Sequence, residues 1–306
     1  MRFKVLLAAF AVSLLPVTAA AAAGLTDQPL VDAGWLKQHL GDSGLVVLDV
    51  RDLTKAGNPY AQGHIPGAVD AQYSSFGWRA NIGGAPGMLP PPDQIAAKIA
   101  SLGINNDTEV VIVPAGTDAN EFGGATRIYW TFKVLGHDNV TLLNGGYRAW
   151  AAAGDPLSTD AVTPAKGNFT PNYRPELRAD IASVEKAIQG DANLVDARSV
   201  AQFIGKEKTP TVKELGSIPT AVNINFTSFY DDKTATFVDK NTIDGLLKKA
   251  GLEGKDNIIT FCNTGHLATL AWFGLSQVEG LKNVKLYDGS MSQWTLDPSR
   301  PVVVHQ

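Results

Sequence analysis

Ile258-Ile259-Thr260-Phe261-Cys262-Asn263-Thr264-Gly265-His266-Leu267-Ala268-Thr269-Leu270-Ala271-Trp272 is the stretch that decides how this chain folds and what it can do. Residues 258–261 form a continuous apolar run, which suits a strand buried on both faces of a parallel sheet. Helical spacing begins near Leu267 and continues to Leu275. Cys262 opens the tight loop between the two. In an open α/β sheet, ligands bind beyond the carboxyl ends of the strands. A loop at that place turns backbone N–H groups inward, and the helix N-terminus adds partial positive charge. Both effects favour an anion, so a thiolate, the nucleophilic form of cysteine, is expected at Cys262. Gly265 fits this reading because a cradle loop needs a residue free to take positive φ. The commoner fate of a lone cysteine is burial as a small hydrophobe, but a structural cysteine has no need of such a loop.

Working outward, the chain repeats itself. Leu286-Tyr287-Asp288-Gly289-Ser290-Met291-Ser292-Gln293-Trp294 matches Leu142-Leu143-Asn144-Gly145-Gly146-Tyr147-Arg148-Ala149-Trp150. Leu194-Val195-Asp196-Ala197-Arg198 matches Val47-Leu48-Asp49-Val50-Arg51, and Gly216-Ser217-Ile218-Pro219-Thr220-Ala221-Val222 matches Gly63-His64-Ile65-Pro66-Gly67-Ala68-Val69. Three paired motifs in one order indicate a duplicated domain of about 120–140 residues. Apolar runs at 45–50 and 110–113 read as buried strands, and residues 93–102 and 242–250 have helical spacing ending at Gly103 and Gly251. The two segments ending in Trp150 and Trp294 turn into a last helix, with both tryptophans in the core. Alternation of this kind gives α/β layers, helices covering a mostly parallel sheet. Residues 156–173 carry Pro156, Pro164, Gly167 and Pro171 without any period and read as a linker. Gly83-Gly84 and Gly123-Gly124 complete no phosphate-loop or dinucleotide pattern and read as turns.

The whole chain of 306 residues carries 44% hydrophobic and 18% charged residues, enough to build two cores. A net charge of -4 argues against nucleic acid or an anionic membrane surface as partner. The N-terminus pairs Arg2 and Lys4 with an apolar run at 5–15, Pro16 and a string of alanines. That is the pattern of a secretory signal over residues 1–23, shorter in its apolar core than the roughly 20 residues a membrane span needs. Export to a bacterial periplasm is the expectation, with no membrane segment once the signal is removed. One cysteine in an exported chain leaves no internal disulfide. There is no Cys-x-x-Cys pair, and the five histidines do not cluster at metal spacing, so neither dithiol chemistry nor a metal is expected.

Together these motifs resemble the rhodanese superfamily of sulfurtransferases in its tandem, two-domain form. The resemblance rests on Asp49-Val50-Arg51 with residues 63–69, on Asp196-Ala197-Arg198 with residues 218–223, on the loop 262–267, and on Asp288-Gly289-Ser290 ahead of Trp294. It spans nearly all of the mature chain. It implies two rhodanese-like domains, 24–155 and 174–306, the second catalytic. A donor such as thiosulfate or 3-mercaptopyruvate would give its outer sulfur to Cys262, and cyanide, a small thiol or an acceptor protein would take it from the persulfide. Asn263, Thr264, Gly265, His266 and Leu267 would form the persulfide pocket, mainly through their amides, without cofactor or metal. Thr264 would add a hydroxyl donor, and His266 either a charge or proton, if it titrates near working pH, or nothing, as a solvent-facing loop residue. In the first domain Val113-Pro114-Ala115-Gly116-Thr117-Asp118 stands at the matching place. Having no cysteine, that domain would only wall the site. His64 would hold a turn, and Asp49, Arg51, Asp196 and Arg198 would pair to fix loops.

The chain departs from the pattern of thiosulfate-preferring members, which place a base in the loop and another after the Asp-x-Arg motif. Here the loop offers Asn263 and Thr264, and Ser199-Val200-Ala201-Gln202 follows Arg198. A phosphatase of related fold would need Cys-x5-Arg to grip phosphate, and Ala268 stands at the arginine position. A non-catalytic anion- or partner-binding protein and a sulfur carrier within a protein relay stay open as alternatives.

Overall fold

The computed structural model describes residues 24–305, so the signal reading of residues 1–23 lies outside the described residues. Each apolar run forms a strand, and the duplication is written directly into two parallel sheets. The first has the order Leu30–Val31, Val140–Leu143, Glu109–Val113, Leu45–Asp49, Val69–Asp70. The second has the order Asn283–Leu286, Asn257–Phe261, Asn193–Asp196, Val222–Asn223. All neighbours within them run parallel. The edge strand Leu30–Val31 has a reduced counterpart in the second domain, a single bridge from Arg178 to Leu286.

Because side chains alternate across a strand, each run feeds two cores. Val47, Val111, Val113 and Leu143 point to an outer cluster of the first domain. Leu194, Ile259 and Phe261 point to an outer cluster of the second. The alternate residues, Leu48, Val110, Ile112, Val195, Ile258 and Val284 among them, meet in one cluster that runs through both domains. The helix Ala119–Val134 lies at its centre. It is buried on nearly every side, which is the condition of a helix enclosed by protein, and it packs on the helix Ala268–Phe273 of the second domain.

Gly123 and Gly124 do not form a turn. They lie inside the helix Ala119–Val134, where a Cβ on Gly123 would sit 3.0 Å from His266 Nε2 and one on Gly124 3.0 Å from Tyr73 Cγ. The smallness of Gly123 lets the domains close on each other, and that of Gly124 admits Tyr73 within the first domain. Gly83 and Gly84 do turn a hairpin, between Ala80–Ile82 and Ala85–Met88. The second domain has its own hairpin, Tyr230–Asp231 with Thr236–Phe237. Residues 156–173 form neither helix nor strand and lie along the first domain, with Gly167 N–H donating to Ala100 O and Asn172 N–H to Leu135 O.

Local brackets repeat with the sheets. Arg51 grips Asp49 and donates to Gly63 O, and Arg198 grips Asp196 and donates to Gly216 O. Trp150 and Trp294 are fully buried, each donating from Nε1 to a carbonyl, of Pro156 and Pro301. His64 is fully buried, stacked on Tyr60 with its Nδ1 at Tyr60 O, a structural place away from the cysteine loop.

Candidate active site

The strand Asn257–Phe261 ends at the carboxyl edge of the second sheet, and Cys262 is the next residue, 1% exposed and part of the shared core. The loop is pinned from behind by Ser290. Its Oγ accepts from Cys262 N–H at 3.1 Å and Gly265 N–H at 3.0 Å, and donates to Tyr287 O at 2.8 Å. Ser290 sits at φ +52, a left-handed conformation that costs a side-chain-bearing residue roughly 1–2 kcal/mol. At the matching place the first domain has Gly146, at φ +59. The strain is retained where the hydroxyl clamps the loop. Gly265 takes φ +66, and a Cβ there would lie 2.4 Å from Asp288 O, so only glycine lets the loop lie against this turn. Among the described residues, the N–H groups of Asn263, Thr264, His266 and Leu267 donate to no protein acceptor. Four donors are therefore left for a ligand.

Behind the loop, the fully buried Arg127 reaches across from the first domain and donates from Nη1 to Gly265 O at 2.7 Å. Its Nη2 stands 3.9 Å from Asp288 Oδ2. Asp288, itself buried, accepts from Arg178 Nε at 2.9 Å and from Leu89 N–H at 2.7 Å. This buttress spans both domains.

The side chains of the loop diverge. Asn263 Nδ2 donates to Gln202 Oε1 at 2.8 Å, so the two positions at which a base was sought pair neutrally with each other. Leu267 packs on the shared core. Thr264 faces a cleft of about 400 Å³ between the domains, with Tyr73, Arg79, Gly87 and Thr211. His266 turns into the first domain, against Gly123 and with its ring centroid 4.9 Å from that of Tyr73. Its Nε2 is enclosed without a hydrogen-bond partner. Burial, followed by the charges of Arg79 and Arg127, pushes His266 down to about 3. It is neutral at working pH, so it supplies no charge there, and it is half-buried, with its Nε2 turned into the protein. Burial likewise pushes Tyr73 up to about 12. Among the described residues no three of His, Cys, Asp or Glu gather to hold a metal.

The Rhodanese-like domain family matches the chain twice, over residues 32–153 and 180–297. The chain belongs to the rhodanese-like family. The Thiosulfate/3-mercaptopyruvate sulfurtransferase 2 of Arabidopsis thaliana is 30% identical, over 91% of this chain and 87% of that protein. The Sulfur carrier protein TtuD of Thermus thermophilus is 30% identical over 87% and 93%. The crystal structure of SseA from Escherichia coli, described as showing the "Rhodanese" fold of 3-mercaptopyruvate sulfotransferases, superposes with a TM-score of 0.74 at 26% identity, covering 86% of this chain and 98% of that one. The chain is a sulfurtransferase with two rhodanese-like domains.

The first rhodanese-like domain shows what such a loop does when no cysteine occupies it. Glu121 places its carboxylate in the loop, accepting Ala115 N–H at 2.6 Å and Gly116 N–H at 3.1 Å. Gly116 takes φ +78 against Gly145 O, as Gly265 does against Asp288 O. The counterpart of the cysteine loop thus directs two amides at an internal carboxyl group, whose charged form they favour. Burial pushes Glu121 up to about 7, opposed by the loop amides.

Sequence reasoning missed Ser290, Arg127, Tyr73 and Arg79. Ser290 had a signal, being the one residue of Asp288-Gly289-Ser290 that replaces a glycine of Asn144-Gly145-Gly146. The other three come from the first domain, and no local pattern marks them.

Proposed function

We propose that Cys262 is the nucleophile and carries sulfur as a persulfide. The Cys262 thiolate attacks the outer sulfur of the donor. With thiosulfate the S–S bond breaks and sulfite leaves with the electron pair. With 3-mercaptopyruvate the C–S bond breaks, and the carbon takes the pair and a proton to give pyruvate. Cyanide or an acceptor thiolate then attacks the terminal sulfur and restores the Cys262 thiolate, two half-reactions with ping-pong kinetics. No cofactor enters this scheme.

The observation that carries the reading is the set of unengaged N–H groups at Asn263, Thr264, His266 and Leu267 around the chain's one cysteine. Preorganised amides of this kind stabilise the negative charge that develops on the terminal sulfur. The loop beside Glu121 supports it, because there two amides of the matching loop donate to a carboxyl group and favour its charged form. Each half-reaction leaves an anionic sulfur at this loop, the persulfide after the first and the Cys262 thiolate after the second. The sulfur-carrier name of one relative supports a protein as the physiological acceptor. The residues 1–23 support export to a periplasm, which the mass of the chain recovered from that compartment would test.

Intact mass before and after incubation with each donor tests the covalent step. A gain of about 32 Da, reversed by cyanide and absent in Cys262→Ala, is expected. Turnover without any such gain would remove Cys262 from the reaction.

A further inference from the structure

We infer that Arg79, supplied by the first domain, binds the oxyanion head of the sulfur donor and sets which donor the site accepts. The inference rests on the Cys262 persulfide reading. The cysteine loop itself contains no cation, and the two nearest candidate positions, Asn263 and Gln202, are paired neutrally with each other at 2.8 Å. Both donors named above are anions, with a sulfonate or a carboxylate beside the sulfur to be transferred. A site that accepts them without a cation would pay the full desolvation of that charge.

Arg79 is the one charged side chain lining the cleft that Thr264 faces. It makes no ion pair with a carboxylate among the described residues. It is instead held by aromatic stacking, its guanidinium 4.6 Å from the Tyr73 ring centroid. The stack fixes the plane of the fork while leaving its N–H groups unspent, and a planar fork suits a carboxylate or sulfonate. Gly87 joins Arg79 to the loop: an ideal Cβ on it would stand 2.5 Å from Thr264 O and 3.5 Å from Arg79 Nη1. Arg79 and Thr264 thus flank one glycine, with Tyr73 reaching inward from Arg79 to His266. A donor with its head on Arg79 and its sulfur toward the loop fits this order of groups.

The test uses the full mature chain with Arg79→Gln and Arg79→Lys. Steady-state kinetics with thiosulfate and with 3-mercaptopyruvate are read against a neutral thiol acceptor, and discharge of a preformed Cys262 persulfide by that thiol is timed separately. Arg79→Gln is expected to raise KM for an anionic donor about ten- to hundredfold, with kcat changed less and discharge unchanged, and Lys to restore part of the loss. The donor whose KM responds more identifies the head group. Wild-type KM should rise with added salt, a reading that needs no variant to fold. An unchanged KM for both donors in Arg79→Gln, with Cys262 still loading, would overturn the assignment alone. A fall in discharge along with loading would reduce Arg79 to a prop for Tyr73. Failure of the wild type to load Cys262 would instead fell the parent reading.

Discussion

The Leu89 backbone N–H donates to Asp288 Oδ2 at 2.7 Å, from the hairpin arm of one domain to the turn behind the cysteine loop of the other. The reciprocal contact exists: Phe237 N–H, on the second domain's hairpin, donates to Asn144 Oδ1 at 2.9 Å. Asn144 and Asp288 are matching residues of the repeat, so each domain extends an arm to the same place on its twin. In one direction the acceptor is neutral. In the other it is charged, and it also serves Arg178 and Arg127.

That difference predicts how Asp288 responds to substitution. Asp288→Asn keeps an acceptor for Leu89, as Asn144 does for Phe237, but leaves Arg127 without its neighbouring charge. Asp288→Ala removes both. Breaking a buried pair by deleting one partner costs about 3–5 kcal/mol, so Ala should approach that range and Asn should cost less. Urea unfolding of the two variants checks the order.

Ser290→Gly separates strain from function. Glycine takes φ +52 freely, which offsets the loss of the hydroxyl contacts, so stability should change by less than about 1 kcal/mol. The amides of Cys262 and Gly265 lose their shared acceptor, and single-turnover loading of Cys262 should slow by at least about tenfold. Equal loading rates in Ser290→Gly and wild type would show that the clamp is dispensable.

Glu121 predicts a pH dependence of stability. Its folded value of about 7 lies above the ordinary 4.5 because burial disfavours the carboxylate. Between these values the folded state holds more protons than the unfolded, so this contribution is complete below about 4.5 and is lost as pH rises through about 7. The stability of wild type minus that of Glu121→Gln should therefore fall between pH 5 and pH 8 in urea titrations.

His266 acts with the opposite sign. Its folded value of about 3 lies below the ordinary 6.5, and the unfolded state binds the extra proton between them. Stability from this residue is complete above 6.5 and falls as pH drops toward 3. The advantage of wild type over His266→Gln should shrink on acidification. The pH profile of sulfur transfer should keep its shape in that variant, since His266 holds no proton to give near neutrality.

Much of the fold was legible because strand identity is local. Valine-rich runs such as 110–113 have no other comfortable home, and the repeat supplied the pairing of the motifs. The cysteine loop was legible for the same reason, a strand end and a helix start with glycine between. What escaped was set by residues distant in sequence, most of them across the domain boundary. Gly123-Gly124 looks like a turn until His266 and Tyr73 press on it. The state of His266 depends on a helix more than a hundred residues upstream, and Arg79 acquires its meaning only when its hairpin folds over Thr264.

The cluster running through both domains makes duplication hard to undo. Only one copy carries a thiol, yet each sets a helix that covers its own sheet against the matching helix of the other. A chain cut back to the cysteine-bearing half would strip Thr269, Leu270 and Phe273 of their partners Thr126, Gly123 and Tyr129 and lose the arginine that steadies Gly265. The copy without a thiol thus serves as part of the frame on which its twin's loop is built.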